Sequence, residues 1–337
     1  MRRQASGVWP IVLLLVAVAI VAALRMTIDR DPSSGALSLA WPQAEWRSFR
    51  VTATVVGLLV GGGLALAGTL LQASLRNPLA SPSVLGVSSG AGFGVMLALF
   101  LAYQTGVTEV AWGLPAMLGA AVAVGLVLVL GRKDGWPDPV STILAGVIIA
   151  TMFGAGMVLL QGLVPDGLRG RFLAWALGTV PEVTATGAIP VLAGVLGVAC
   201  LAGMVGHGRL DALLLDHASA VSIGASPGGT RLACLVAAGI LTAMTVAMCG
   251  PLGFVGLVAP HGARLLVGPE HRLLVPAAVL AGAVLVTGAD TLRQVIDLGT
   301  GRLPVGVLTT LAGGPFFLWM LRRGSASAWR GGMHASV

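Results

Sequence analysis

Two stretches of this sequence break apolar runs with Pro, Gly and a few polar side chains, and any chemistry must sit there. Leu71–Ala91 reads LQASLRNPLASPSVLGVSSGA, and Gly250–Gly268 reads GPLGFVGLVAPHGARLLVG. Asn77 before Pro78 favours a turn, Asn77 can cap freed backbone groups, and Pro82 restarts a helix. In the second stretch Pro260 breaks a short apolar helix, with His261 and Arg264 as its only strongly polar groups. Lipid cannot hydrogen-bond a freed backbone, so such breaks persist only inside protein, at a membrane surface or beside a water-filled path. Paired breaks in the two halves of a membrane chain point to a translocation pathway. The chemistry expected of Asn77, Pro78, Pro260 and His261 is therefore the lining or gating of a path. A metal or catalytic role for His261 would need partners that its segment does not offer, and we read it as a structural histidine near the interface.

Motifs that are missing narrow the function further. The sole lysine, Lys133, lies in GRKDG, so the chain has no G-x-x-x-x-G-K-[ST] phosphate loop, and no H-E-x-x-H or G-x-S-x-G appears. Gly90, Gly92 and Gly94 lack the preceding strand of a dinucleotide site. No Asp or Glu falls mid-span, and Asp290 lies near a span end. Ion-coupled carriers usually need an intramembrane carboxylate or His. An ion-coupled secondary transporter working without an ATPase stays as the alternative reading, because ions also bind unwound backbone carbonyls.

The elements that must position these residues are membrane spans. Of 337 residues, 56% are hydrophobic and 10% charged, against about 25% charged in soluble domains. At about 20 apolar residues per helix, we expect an all-α polytopic membrane protein of about ten transmembrane helices. They fall near 8–25, 52–73, 83–103, 112–131, 139–162, 186–206, 231–250, 252–267, 273–291 and 304–321. The whole of 1–337 reads as one transmembrane domain. Arg2 and Arg3 precede the first apolar run, read as an uncleaved span. Gly57/Gly61 and Gly86/Gly90/Gly94 sit at four-residue spacing, which lets helix backbones approach closely. Cys200, Cys234 and Cys249 have no paired spacing, implying neither disulfide nor metal.

Ten spans bring both termini to one side, expected to be cytoplasmic. The outer side then holds Arg25, Arg30, Arg47, Arg50, Arg169, Arg171, Arg293 and Arg302, and the cytoplasmic side the remaining twelve of the 20 basic residues. The net charge of +7 fits loops against anionic headgroups, with no basic face for nucleic acid. The outer arginines fit either headgroup contact or docking of an acidic partner.

Several long blocks resemble the FecCD family, the permease subunits of bacterial ABC importers for iron–siderophores, haem and cobalamin. They are LALAGTLLQASLRNPLASPSVLGVSSGAG (Leu64–Gly92), GPLGFVGLVAPHGARLLVGPEHR (Gly250–Arg272), GAD at Gly288–Asp290 and LPVGVLTTLAGGPFFLWMLRR (Leu303–Arg323). The resemblance implies the ten-helix fold of a cobalamin-importer permease in the bacterial inner membrane. It also implies a second permease subunit, two cytoplasmic ATPase subunits and an extracytoplasmic substrate-binding protein. ATP and Mg would act on the ATPase, with no cofactor on this chain.

By the same resemblance, Arg47 and Arg50 (RSFR, placed before the second helix) and Arg293 would bridge to glutamates of the binding protein. A coupling segment at His207–Thr230 would seat on the ATPase through Leu215, Asp216, His217, Ala218, Ile223 and Gly224. Asp216-His217 replaces the family's usual Gly-Glu there, and Arg302 replaces a common Glu. The family's cytoplasmic gate would map to Pro139–Thr142, with Ser141 and Thr142 as gate candidates beside their ordinary role as helix caps. The implied function is import of a metal chelate, a ferric siderophore first among the possibilities.

Overall fold

The computed structural model describes residues 8–30, 36–107, 110–185, 187–215, 217–296 and 303–324. Asp216 and Arg302 lie outside the described residues, as do Arg2 and Arg3. The chain is almost wholly helical. Among the described residues, eight helices are long and apolar enough to cross a membrane: α1 (Trp9–Thr27), α2 (Ala44–Ser74), α3 (Val87–Thr105), α4 (Gly113–Leu130), α5 (Pro139–Gly162), α7 (Ala188–Val205), α10 (Pro227–Cys249) and α12 (His271–Val295). Two further helices have shorter apolar stretches: α11 (Val255–Val267), and α13 (Val305–Gly324) over Val305–Trp319. These ten match the ten expected spans one for one.

The differences lie between them. α2 starts at Ala44, well before the expected 52, because Glu45 and Trp46 extend it outward as an exposed first turn. The polar stretch after α5 holds α6 (Asp166–Ala176), and His207–Thr230 holds α8 (His207–Ala212) and α9 (His217–Ser222). Two short antiparallel hairpins, β1–β2 (Ile28–Arg30 with Leu37–Leu39) and β3–β4 (Arg132–Lys133 with Trp136–Pro137), close polar connections.

The core forms around α2, whose span is the most buried in the chain; it packs on α12, α10 and α11. Little else is available to hold helices together in lipid, which is as apolar as Leu, so close backbone packing takes over. A Cβ on Gly61 would strike the Gly282 carbonyl, and one on Gly282 the Gly61 carbonyl. Gly90 of α3 and Gly119 of α4 meet in the same way. The four-residue glycine spacing thus marks true helix crossings. α1, α5 and α7 keep broad exposed apolar faces, as lipid- or partner-facing helices must.

Candidate functional site

The first break begins where α2 ends. Arg76 takes a left-handed backbone, φ +48°. Asn77 then accepts the Leu79 amide at Oδ1 (2.9 Å), and its carbonyl accepts the Ala80 amide. Pro82 opens a single 3-10 turn, Pro82–Leu85, and Gly86 at φ +67° starts α3. Pro78 is exposed. In the second break Gly250 and Phe254 have positive φ, and α11 continues through Pro260. The His261 Nδ1 donates to its own helix at the Leu257 carbonyl (2.9 Å), and the ring stands edge-on to Phe317.

Tertiary packing brings the breaks together. The position of a Cβ on Gly256 lies 2.6 Å from Pro82 Cδ and 2.9 Å from the Leu64 carbonyl. Between them is a cavity of about 190 Å³, with Ser81, Ser83 and Ser88 on one wall and Pro251, Gly253 and Gly256 on the other. A second cavity of about 370 Å³ shares Pro251 and Gly253 and is walled by α13. Leu64 stands ten residues, about 15 Å, before the end of α2, so irregular backbone and hydroxyls reach well into the bundle. Irregular backbone at such depth is tolerated because it lies inside protein.

Below the breaks, both tie to one strip of chain, His207–Leu215. From the first break, Arg76 Nε donates to the Leu213 carbonyl at 2.6 Å, and Nη2 donates to the Leu215 carbonyl. Just beyond the second, the His271 backbone amide and Nδ1 both bond to the Asp211 carboxylate (3.2 and 2.6 Å), and His207 Nδ1 lies 3.4 Å from its other oxygen. Arg264 joins the breaks directly, donating to Gln72 Oε1 at 3.1 Å. The sequence singled out neither of these strip contacts. Arg76 entered the sequence reading only among the twelve basic residues assigned to the cytoplasmic side, because a bond to a backbone carbonyl leaves no residue-type signature at its distant partner.

The strip continues through α9 to Gly224 at φ +79°, a helix–turn–Gly shape as expected. Leu214, Leu215, Val221 and Ile223 expose large apolar side chains there, a patch of the kind that marks protein contacts. His217 and Ala218 lie in α9, and nothing is described of their side chains.

At α5, Asp138 caps the helix, accepting the Ser141 amide and hydroxyl, both at 2.9 Å. The Ser141 backbone N–H holds the Asp138 carboxyl below its usual value against the opposing effect of burial, with the Ser141 hydroxyl and then Lys133 and Arg231 adding to the lowering. Thr142 is buried and donates to the Gly131 carbonyl. Both gate candidates therefore have local structural partners.

The opposite face gathers the other arginines. Arg47 is exposed in the first turn of α2. Arg50 is buried, bonded to Asp29, to the Ile28 carbonyl (2.6 Å) and to Gln294 Oε1 (3.1 Å). Arg293 is buried with Nε 2.8 Å from Asp290, which also pairs with the fully buried Arg25. The arginine pair expected before the second helix therefore lies inside it, and Arg50 and Arg293 are engaged within the chain. A buried guanidinium needs a carboxylate and hydrogen bonds to offset its lost hydration; Arg50 has both, and Asp290 supplies the carboxylate for Arg25 and Arg293.

Comparison with known proteins follows the same outline. The profile of the FecCD transport family matches residues 11–323. The chain is 32% identical to the hemin transport system permease of Yersinia pestis over 281 residues, 82% of this chain and 83% of that one. It is 36% identical to the vitamin B12 import system permease of Vibrio cholerae over 288 residues, covering 84% and 85%. Against the ferric enterobactin permease of Escherichia coli it is 35% identical over 283 residues, covering 81% and 80%. A solved inward-facing structure of a metal-chelate type ABC transporter superposes with a TM-score of 0.80 at 27% identity, covering 93% of this chain and 98% of that one.

Proposed function

The chain belongs to the FecCD transport family and is the permease subunit of an ABC importer, and we propose that its cargo is a metal chelate, a ferric siderophore before haem or cobalamin. It is a multi-pass protein of the inner membrane, and its family implies ATPase and substrate-binding partners. The observation that carries the cargo reading is the meeting of the two breaks around a serine-lined, uncharged cavity. Such a wall offers a bare cation no carboxylate ring and suits an already coordinated metal.

The cavity of about 190 Å³ is smaller than the roughly 300–1,000 Å³ of sites for drug-sized ligands. A chelate path therefore needs a second permease subunit, identical or paralogous, to face this one. In this reading both termini are cytoplasmic, and the strip with its exposed Leu214, Leu215, Val221 and Ile223 seats on one of two ATPase subunits. ATP and Mg act there, and the permease carries no cofactor of its own. The binding protein docks on the opposite face, with Arg47, the exposed one of Arg47, Arg50 and Arg293, meeting an acidic partner. ATP and the loaded binding protein bias the permease between inward- and outward-open states.

The test is uptake of labelled ferric siderophores, haem and cobalamin into proteoliposomes holding the chain with its ATPase and binding protein. ATP-dependent uptake of a chelate is expected. Uptake of free iron at an equal rate contradicts the cargo reading, and ion-driven uptake by this chain alone favours a secondary carrier.

A further inference from the structure

The largest of these cavities, about 590 Å³, lies between α7 and α10, away from the breaks. Its polar end is at the strip, with Arg209, Ser226 and Thr230, and its far end is apolar, at Ala199 and Ala237. Ser226 to Ala237 is eleven residues, about 16 Å along a helix, close to half of a roughly 30 Å hydrocarbon core. Beside the cleft, Leu201 and Val205 of α7 and Val236 and Ile240 of α10 are exposed apolar groups, so it opens on the lipid-facing surface.

Gly203 packs on Val275 of α12, but the small residues that face each other across the cleft do not close an α7–α10 crossing. At Gly61 and Gly282 an added Cβ would strike the facing backbone, but at Gly206 and Gly229 no atom of the opposite helix lies within 4 Å. The Arg209 side chain is exposed and, among the described residues, has no hydrogen-bond or ion-pair partner. An apolar cleft one leaflet deep, with an uncompensated cation at its interfacial end, matches one class of molecule in charge and length. We propose that it binds one anionic phospholipid, phosphate against Arg209 and an acyl chain between α7 and α10. Leu210, Gly224 and Ala225 also line it, so the bound lipid would support the strip from the membrane side. The proposal rests on the membrane embedding and not on the cargo.

The test is native mass spectrometry of the full chain after exchange into phosphatidylglycerol or phosphatidylcholine. One retained lipid per chain is expected, with phosphatidylglycerol favoured about five-fold, the effect of one cation at a membrane surface. Arg209→Gln should remove the preference, and Ala202→Phe or Ala233→Phe, both at exposed cleft positions, should remove the retained lipid. Should either Phe variant fold poorly, a photoactivatable phosphatidylglycerol should label α7 and α10 peptides in the unsubstituted protein. Four results overturn the proposal: no retained lipid, an unchanged count in the Phe variants, an unchanged preference in Arg209→Gln, or loss of the lipid when the ATPase assembles. The last would show that partner protein fills the cleft.

Discussion

Arg76 and Leu213 are 137 residues apart in sequence and are joined by one N–H, from the Arg76 Nε to the Leu213 carbonyl at 2.6 Å. A second N–H from the same guanidinium reaches the Leu215 carbonyl. The first membrane break thus hangs from the strip proposed to meet the ATPase. Hydrogen bonds from charged groups contribute about 1.5–3 kcal/mol, and Arg76 is itself exposed. Arg76→Ala should leave the fold intact and the ATPase active while uptake per ATP falls ten-fold or more. Arg76→Lys, which can reach one carbonyl, should recover part of it. The check is simultaneous uptake and phosphate release in proteoliposomes; a parallel fall of both would assign Arg76 to folding alone.

Asp290 is the shared partner of Arg25 and Arg293, and Arg25 is fully buried. Removing one member of a buried pair costs about 3–5 kcal/mol, because it leaves an uncompensated charge. Asp290→Ala should therefore lower the thermal midpoint in detergent strongly. Replacing Asp290 and Arg25 together with apolar residues should recover only the part of the loss that Arg25 causes, because buried Arg293 still loses its contact with Asp290.

Docking of the binding protein should separate the three outer arginines. Arg47→Glu should weaken docking at low salt with no change in stability, since its side chain is exposed. Arg50→Glu and Arg293→Glu should destabilise the permease itself by breaking the bonds to Asp29, Gln294 and Asp290. Pull-down at two salt concentrations, read beside thermal melting, distinguishes the cases. Unchanged docking by Arg47→Glu at low salt would remove that residue from the interface.

The α2–α12 crossing predicts a sharp contrast between glycines. Gly282→Ala places a methyl against the Gly61 backbone, and overpacking of this kind costs about 1–3 kcal/mol. Gly125→Ala meets nothing within 4 Å and should be neutral or slightly stabilising. The yields of folded protein and the melting midpoints of the two variants make the comparison.

The Asp138 cap predicts a pH dependence. Its folded pKa lies below the ordinary 3.8, so the unfolded chain takes up the proton first as pH falls. The stabilisation is present above 3.8 and is lost as pH drops through the lower folded value. Asp138→Ala should cost about 1 kcal/mol at pH 7, and its melting difference from the unsubstituted protein should vanish in strong acid. A difference that persists there would show that the charge is not what holds the cap.

The sequence by itself determined the class of protein and nearly all of its spans. Twenty apolar residues have one stable state in lipid, and Pro and Gly announce where that state must break. It also marked the helix crossings, since only glycine permits backbone contact at Gly61 and Gly90. The Asn77 turn and the Pro82 restart were legible for the same reason, being set by residues one to three positions away. Tertiary structure alone decided which charges are free. Arg47 and Arg50 are indistinguishable as a sequence pair, yet one helical turn puts Arg47 in solvent and Arg50 against Asp29 and Gln294. Only the fold, likewise, hangs both breaks on the strip through Arg76 and through Asp211–His271. Helix periodicity is a local property, whereas the partner of a buried charge or of a backbone carbonyl is chosen by packing between segments that are separated by tens to hundreds of residues.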